Sequence, residues 1–238
     1  MTSPTLIAIG GGGFLTFDAR RLQERYVLAH ARPIPNRRPR AVYLGTALGD
    51  SERGQLGFLK CFAALGCDAS ALTFFPYEMR RDYRDAVVDA DVVYVGGGNT
   101  VAMLVVWREF GFDRALREAY EGGTVLAGVS AGGNCWFERY VTDSVPGGGV
   151  REGLGFVRGT FCPHLDSEAW RGPMLAGCDA PAYGAGENVL LRFEDGALRE
   201  AVHDTPPHLA ARAPACLVRE PGDAALRAVV PRLLAEGA

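Results

Sequence analysis

Short apolar runs alternate with amphipathic stretches through the first half of the chain. Thr5–Ile9 is the first run, and it ends on four glycines, Gly10 to Gly13. Apolar residues at helix spacing follow over about 18–31, and a second run covers Ala41–Leu44. Leu56, Phe58, Leu59, Phe62 and Leu65 recur near every third or fourth position, which predicts a helix over about 50–65. A run over 71–75 precedes a more polar helical stretch over about 77–88. Asp91–Val95 is almost wholly apolar and ends in Gly96-Gly97-Gly98, after which Asn99 is placed to cap a helix reaching about Glu109. A helix near 113–120 stops at Gly122-Gly123, and Thr124–Val129 is another apolar run.

Strands that alternate with helices, and that read as apolar on both faces, predict an α/β fold. Its central sheet is mostly parallel, with helices on both faces. The last third has a different rhythm. Runs at 188–193, 198–203 and 208–219, with the turn signal Glu194-Asp195-Gly196, predict a small antiparallel strand region. The stretch 224–236 has helical composition interrupted by Pro231. Neither a repeat nor a linker divides the chain, so residues 1–238 are expected to form one domain.

Composition narrows the function. The chain is 48% hydrophobic and carries a net charge of −3, so no bulk positive field points to nucleic acid. No apolar run approaches the roughly 18 residues of a membrane span. The six cysteines form no CxxC pair, which predicts reduced thiols in a cytoplasmic protein. Neither a GxGxxG nor a GK[ST] follows a strand, and no histidine lies in a metal-ligand spacing, so no nucleotide cofactor or metal is expected.

Three strand ends are rich in glycine, and the third carries the sharpest signal. Gly128-Val129-Ser130-Ala131-Gly132 follows an apolar run and precedes a helix-compatible stretch over 133–138. A G-x-S-x-G in that setting places a serine hydroxyl on a sharp strand-to-helix turn. Such a hydroxyl needs a base to take its proton. Among His30, His164, His203 and His208, the candidate is His164, in Cys162-Pro163-His164. His30 falls on a helix, and His203 and His208 flank a Pro-Pro turn. The base in turn needs an acid, and from the residues alone Asp143, Asp166, Glu168 and Glu187 remain open.

The blocks Val93–Thr100, with its GGGNT, Gly128–Asn134 and Pro163-His164 resemble the peptidase E (aspartyl dipeptidase) family of serine peptidases, and the likeness extends from about Leu6 to Gly196. The resemblance implies a fold related to class I glutamine amidotransferases. It makes Ser130 the nucleophile, His164 the base and Asp143 the third member, and it places Glu187 on a family glutamate. It implies oxyanion donors at the backbone N–H groups of Gly98 and Ala131, with Asn99 beside them. Arg171 is available to pair with a carboxylate, and a homodimer is expected. The activity implied is hydrolysis of a short peptide near its N-terminus, as a dipeptidase or aminopeptidase, with Asp-X as a candidate substrate. The competing readings are a silent peptide- or small-molecule-binding homologue, and an amidotransferase-like or cyanophycinase-like hydrolase. An amidotransferase would need a thiol, and Cys135 is the nearest.

Overall fold

The computed structural model describes residues 3–14, 20–32, 34–76, 83–205 and 214–235. In chain order the elements of the first half are β1 (Thr5–Ile9), α1 (Leu22–Ala29), β2 (Arg40–Leu44), α2 (Glu52–Ala64), β3 (Asp68–Leu72), α3 (Tyr83–Val88), β4 (Val92–Val95), α4 (Thr100–Glu109), α5 (Phe112–Gly122) and β5 (Val125–Val129). There follow α6 (Ala131–Asn134), β6 (Phe137–Thr142), β7 (Gly149–Glu152), β8 (Val157–Cys162), α7 (Arg171–Ala176), β9 (Ala182–Ala185), β10 (Val189–Glu194), β11 (Ala197–His203), β12 (Cys216–Arg219), β13 (Arg227–Ala228) and β14 (Arg232–Leu233).

The main sheet has eight strands in the order β14-β11-β10-β1-β5-β4-β2-β3. Its five strands from β1 to β3 are mutually parallel, and β10 and β11 add an antiparallel flank. Both faces are covered, as the continuous apolar runs predict. Leu6, Ala8, Val93, Val95 and Leu126 pack on one side with Met103 and Trp107 of α4 and Leu116 of α5. Their strand neighbours Ile7, Ile9, Val92, Tyr94 and Ala127 pack on the other with Val27 of α1 and Phe58 and Phe62 of α2. Alternation along each strand therefore feeds two cores rather than one core and solvent.

The expected antiparallel C-terminal region is present in the β10–β11 hairpin and the antiparallel pairings of β12, and a second sheet of six strands, β13-β12-β9-β8-β6-β7, adds to it. That sheet starts in mid-chain, and β6, β8 and β9 are parallel in it. Phe137, Phe161 and Tyr183 from this sheet join Phe193 of the main sheet in one aromatic cluster. The helix expected over 133–138 is only the four-residue α6. Phe137–Thr142 is a strand instead, because aromatic and β-branched residues in F-E-R-Y-V-T suit a pleated surface.

The closing helix is also corrected. Residues 227–228 and 232–233 are short strands on either side of Pro231, paired with β12 and β11. Proline removes a helical donor there, and the Leu234 N–H goes to His203 O instead. The third strand lies at 68–72 rather than 71–75. Phe74 and Phe75 beyond it donate their backbone N–H groups to the Asp50 carboxylate. The early parts of the helices expected over 18–31 and 77–88, and His208 with the start of the strand expected over 208–219, lie outside the described residues.

Candidate active site

The end of β1 seats three distant segments of the chain. Three consecutive carbonyls, of Ile9, Gly10 and Gly11, accept the backbone N–H groups of Ser130 (2.9 Å), His164 (3.2 Å) and Asn188 (3.1 Å). Asn188 follows Glu187. Gly10 and Gly11 of the four-glycine run thus line the site. A side chain at Gly11 would fall on the Glu187 carboxylate, so only glycine leaves that acid its place.

Ser130 stands between β5 and α6 with φ 56° and ψ −112°, outside the regions favoured by a residue with a Cβ. The strain is held by close packing. A Cβ on Gly128 would strike the backbone of Gly132, and one on Gly132 would strike Val95 O. Both flanking glycines are therefore needed for the turn. It lifts Ser130 Oγ clear of the backbone and leaves the N–H of Ala131 at the first position of α6, where no intrahelical acceptor exists.

Ser130 Oγ lies 2.8 Å from His164 Nε2, and His164 Nδ1 lies 2.5 Å from Glu187 Oε1. The Ser167 hydroxyl donates to the same Oε1 at 3.0 Å. Burial pushes the Glu187 carboxyl up, but the hydrogen bond and charge of His164, the bond from Ser167 and the charge of Arg171 outweigh it. The net result is below the ordinary glutamate value. An ionised carboxylate behind Nδ1 holds the proton there and leaves the Nε2 lone pair facing the serine.

Asp143 does not lie behind the imidazole. Its carboxylate is 64% exposed and pairs with Arg171 Nη2 at 3.3 Å. The same Nη2 meets Glu168 Oε1 at 3.3 Å, and the guanidinium stacks on Trp170. Arg171 is itself buried. Asn99 caps α4 by accepting from Ala102 N at 2.9 Å, and its amide donates to Ser144 O at 3.1 Å. Gly98 lies in the loop just before it, exposed, with φ +133°. His30 and His203 make local contacts elsewhere, to Tyr26 O and Thr205 Oγ1. Ser167 is the residue that the sequence reading missed, since a lone serine three places after a histidine carries no motif.

All six cysteines are free thiols, and Cys135 is fully buried with its thiol pushed far above the usual value by desolvation. Among the described residues no cluster of His, Cys, Asp or Glu is arranged to hold a metal, and no helix is long and apolar enough to cross a membrane.

A serine on a strained strand-to-helix turn, an imidazole on its hydroxyl and a carboxylate behind the ring together have the form of an acyl-transfer site. Known proteins similar to this chain are peptidases. Residues 6–201 match the model of peptidase family S51. The chain is 43% identical over 168 residues to the uncharacterized peptidase YgaJ of Bacillus subtilis (strain 168), covering 71% of each protein. Its fold resembles the crystal structure of a peptidase from an acI-B1 Actinobacterium, with a TM-score of 0.63 at 18% identity over 97% of this chain and 95% of that one. It also resembles a putative peptidase E protein from Listeria monocytogenes EGD-e, with a TM-score of 0.62 at 14% identity over 84% and 98%. The chain belongs to peptidase family S51.

Proposed function

We propose that this peptidase is of the serine type and cleaves short peptides near the N-terminus through an acyl-enzyme. The observation that carries the reading is the unbroken chain from Ser130 Oγ through His164 to Glu187, at 2.8 and 2.5 Å. Ser130 Oγ attacks the scissile carbonyl carbon while His164 Nε2 takes the hydroxyl proton. The C=O π electrons move onto oxygen, and the N–H groups of Gly98 and Ala131 receive that oxyanion. Collapse of the adduct breaks the C–N bond, and the imidazolium returns its proton to the leaving amine. Water then repeats the sequence and frees the acid product. Glu187 remains ionised throughout and holds the ring.

Arg171 bears on side-chain preference. It is the cation available to a substrate carboxylate, but Asp143 and Glu168 already occupy it. The side chain is buried and its Nη2 already carries both carboxylates, which weighs against a strong Asp-X preference. The amidotransferase-like reading is weakened by the burial of Cys135, since a thiol held protonated and out of solvent is no nucleophile. Six free thiols fit a reducing, cytoplasmic setting.

The test is labelling with a fluorophosphonate, together with a panel of short peptides read by mass spectrometry. Wild type is expected to carry one adduct on Ser130 and to cleave part of the panel. Ser130→Ala is expected to keep its fold and lose both. Near-normal cleavage by that variant removes Ser130 from the mechanism.

A further inference from the structure

We propose that Ser167 is a positioning residue for the acid: its hydroxyl and the imidazole of His164 clasp a single oxygen of Glu187 from one turn of the chain. This rests on the reading of Ser130, His164 and Glu187 given above and adds a residue to it. The Ser167 N–H donates to His164 O at 3.0 Å, so residues 164–167 form a hydrogen-bonded four-residue turn. The first residue of that turn reaches Glu187 Oε1 through Nδ1 at 2.5 Å, and the last reaches it through Oγ at 3.0 Å. A third contact comes from the same turn, because Asp166 Oδ1 accepts the backbone N–H of Glu187 at 2.9 Å. The other carboxylate oxygen, Oε2, lies against the bare Cα of Gly11.

The clasp matters because Glu187 is not shielded. Its side chain is 40% exposed, and water competes for any lone pair the protein leaves open. A single hydrogen bond to the ring would leave the carboxylate free to rotate about its last torsion, which has only broad minima. A second donor on Oε1, fixed to the same turn as the ring, sets the carboxylate plane and the ring angle together. The charged and titratable groups around this pair are Asp166 on the turn, Arg171 of α7, and the Asp143 and Glu168 carboxylates bound to Arg171. Beside these groups and the ring itself, Ser167 brings an uncharged hydroxyl donor to Oε1.

Ser130 phosphonylation by a fluorophosphonate reads the clasp without knowledge of the natural substrate. Oγ bonds to phosphorus, fluoride leaves, and the hydroxyl proton passes to His164 Nε2. The second-order labelling rate is measured from about pH 5 to 9, the range in which a histidine base titrates, for wild type, Ser167→Ala, Ser167→Thr and Glu187→Gln, with each fold checked by circular dichroism. Ser167→Ala is expected to label about tenfold more slowly on its plateau, the loss of one hydrogen bond to a charged group. Its acid-side midpoint is expected to move to higher pH, since an oxygen relieved of one donor holds the protonated imidazole more strongly. Ser167→Thr keeps the hydroxyl and is expected to restore both. A Ser167→Ala profile with an unmoved midpoint, slow or not, overturns the proposal, as does a threonine variant no better than alanine. Glu187→Gln tells two failures apart. If it labels like wild type, the underlying Ser-His-Glu reading falls and takes the clasp with it. If it is slow while Ser167→Ala behaves as wild type, the role of Ser167 alone falls.

Discussion

His164 Nδ1 lies 2.5 Å from Glu187 Oε1, while Asp143, the acid nearer to Ser130 in sequence, is turned away onto Arg171. The two carboxylates therefore predict opposite consequences. Glu187→Gln replaces an acceptor of the Nδ1 proton with an amide that can donate, favouring the wrong tautomer. It is expected to lower peptide cleavage by about a thousandfold or more. Asp143→Asn removes the solvent-exposed partner of Arg171 and leaves Glu168 on the same Nη2, a change worth about 1 kcal/mol or less. Turnover is expected to stay within a few-fold of wild type. Steady-state rates on one cleaved peptide decide between them, and the reverse ranking would return the third role to Asp143.

Gly97 lies against the nucleophile. A Cβ built there would stand 3.3 Å from Ser130 Cβ and 3.7 Å from Oγ, close to the space that an incoming carbonyl must enter. Reacting atoms need to approach to roughly 3–3.5 Å, and small displacements at that distance are costly. Gly97→Ala is expected to slow Ser130 labelling by about tenfold or more. The fold should tolerate the change, because the neighbouring atoms are a side chain and one carbonyl at tight but bearable distance. Wild-type labelling in a folded variant would show that the added methyl leaves the approach open.

The parts of this site that are local in sequence are legible, and those that depend on remote pairing are not. Ser130 is legible because the apolar run, the small flanks and the turn are consecutive. His164 is legible by elimination among four histidines. The acid is not, since Asp143 and Glu187 both follow or precede strands and only the tertiary path brings one behind the ring. The role of Gly10 and Gly11 is equally hidden. Their carbonyls accept from residues more than a hundred positions away, and nothing in a glycine run announces its donors. For the fold, the parallel core follows from continuous apolar strands. The C-terminal segment misleads because its helical composition yields to two short edge pairings and to Pro231.

Arg37 and Arg40, just before and at the start of β2, are both held by Asp91, and this predicts a pH dependence of stability. Asp91, 6% exposed, accepts two hydrogen bonds from the Arg37 guanidinium at 2.6 and 2.8 Å and a third from the Arg40 N–H at 2.7 Å. Burial pushes its carboxyl up, but these bonds and the charges of Arg37 and Arg40 outweigh it and hold the group below the ordinary aspartate range. A group depressed in the folded state stabilises fully above its unfolded pKa, and that stability is lost as pH falls through the folded value. Asp91→Ala is therefore expected to cost about 2 kcal/mol at neutral pH, from hydrogen bonds to a charged group. The gap between variant and wild type in urea unfolding should stay constant down to about pH 5 and narrow below about pH 4, where the unfolded aspartate protonates. A gap that holds its full size well into acid would assign the contribution to packing rather than charge. A gap absent at neutral pH would mean that the start of β2 stays in place without the ion pair.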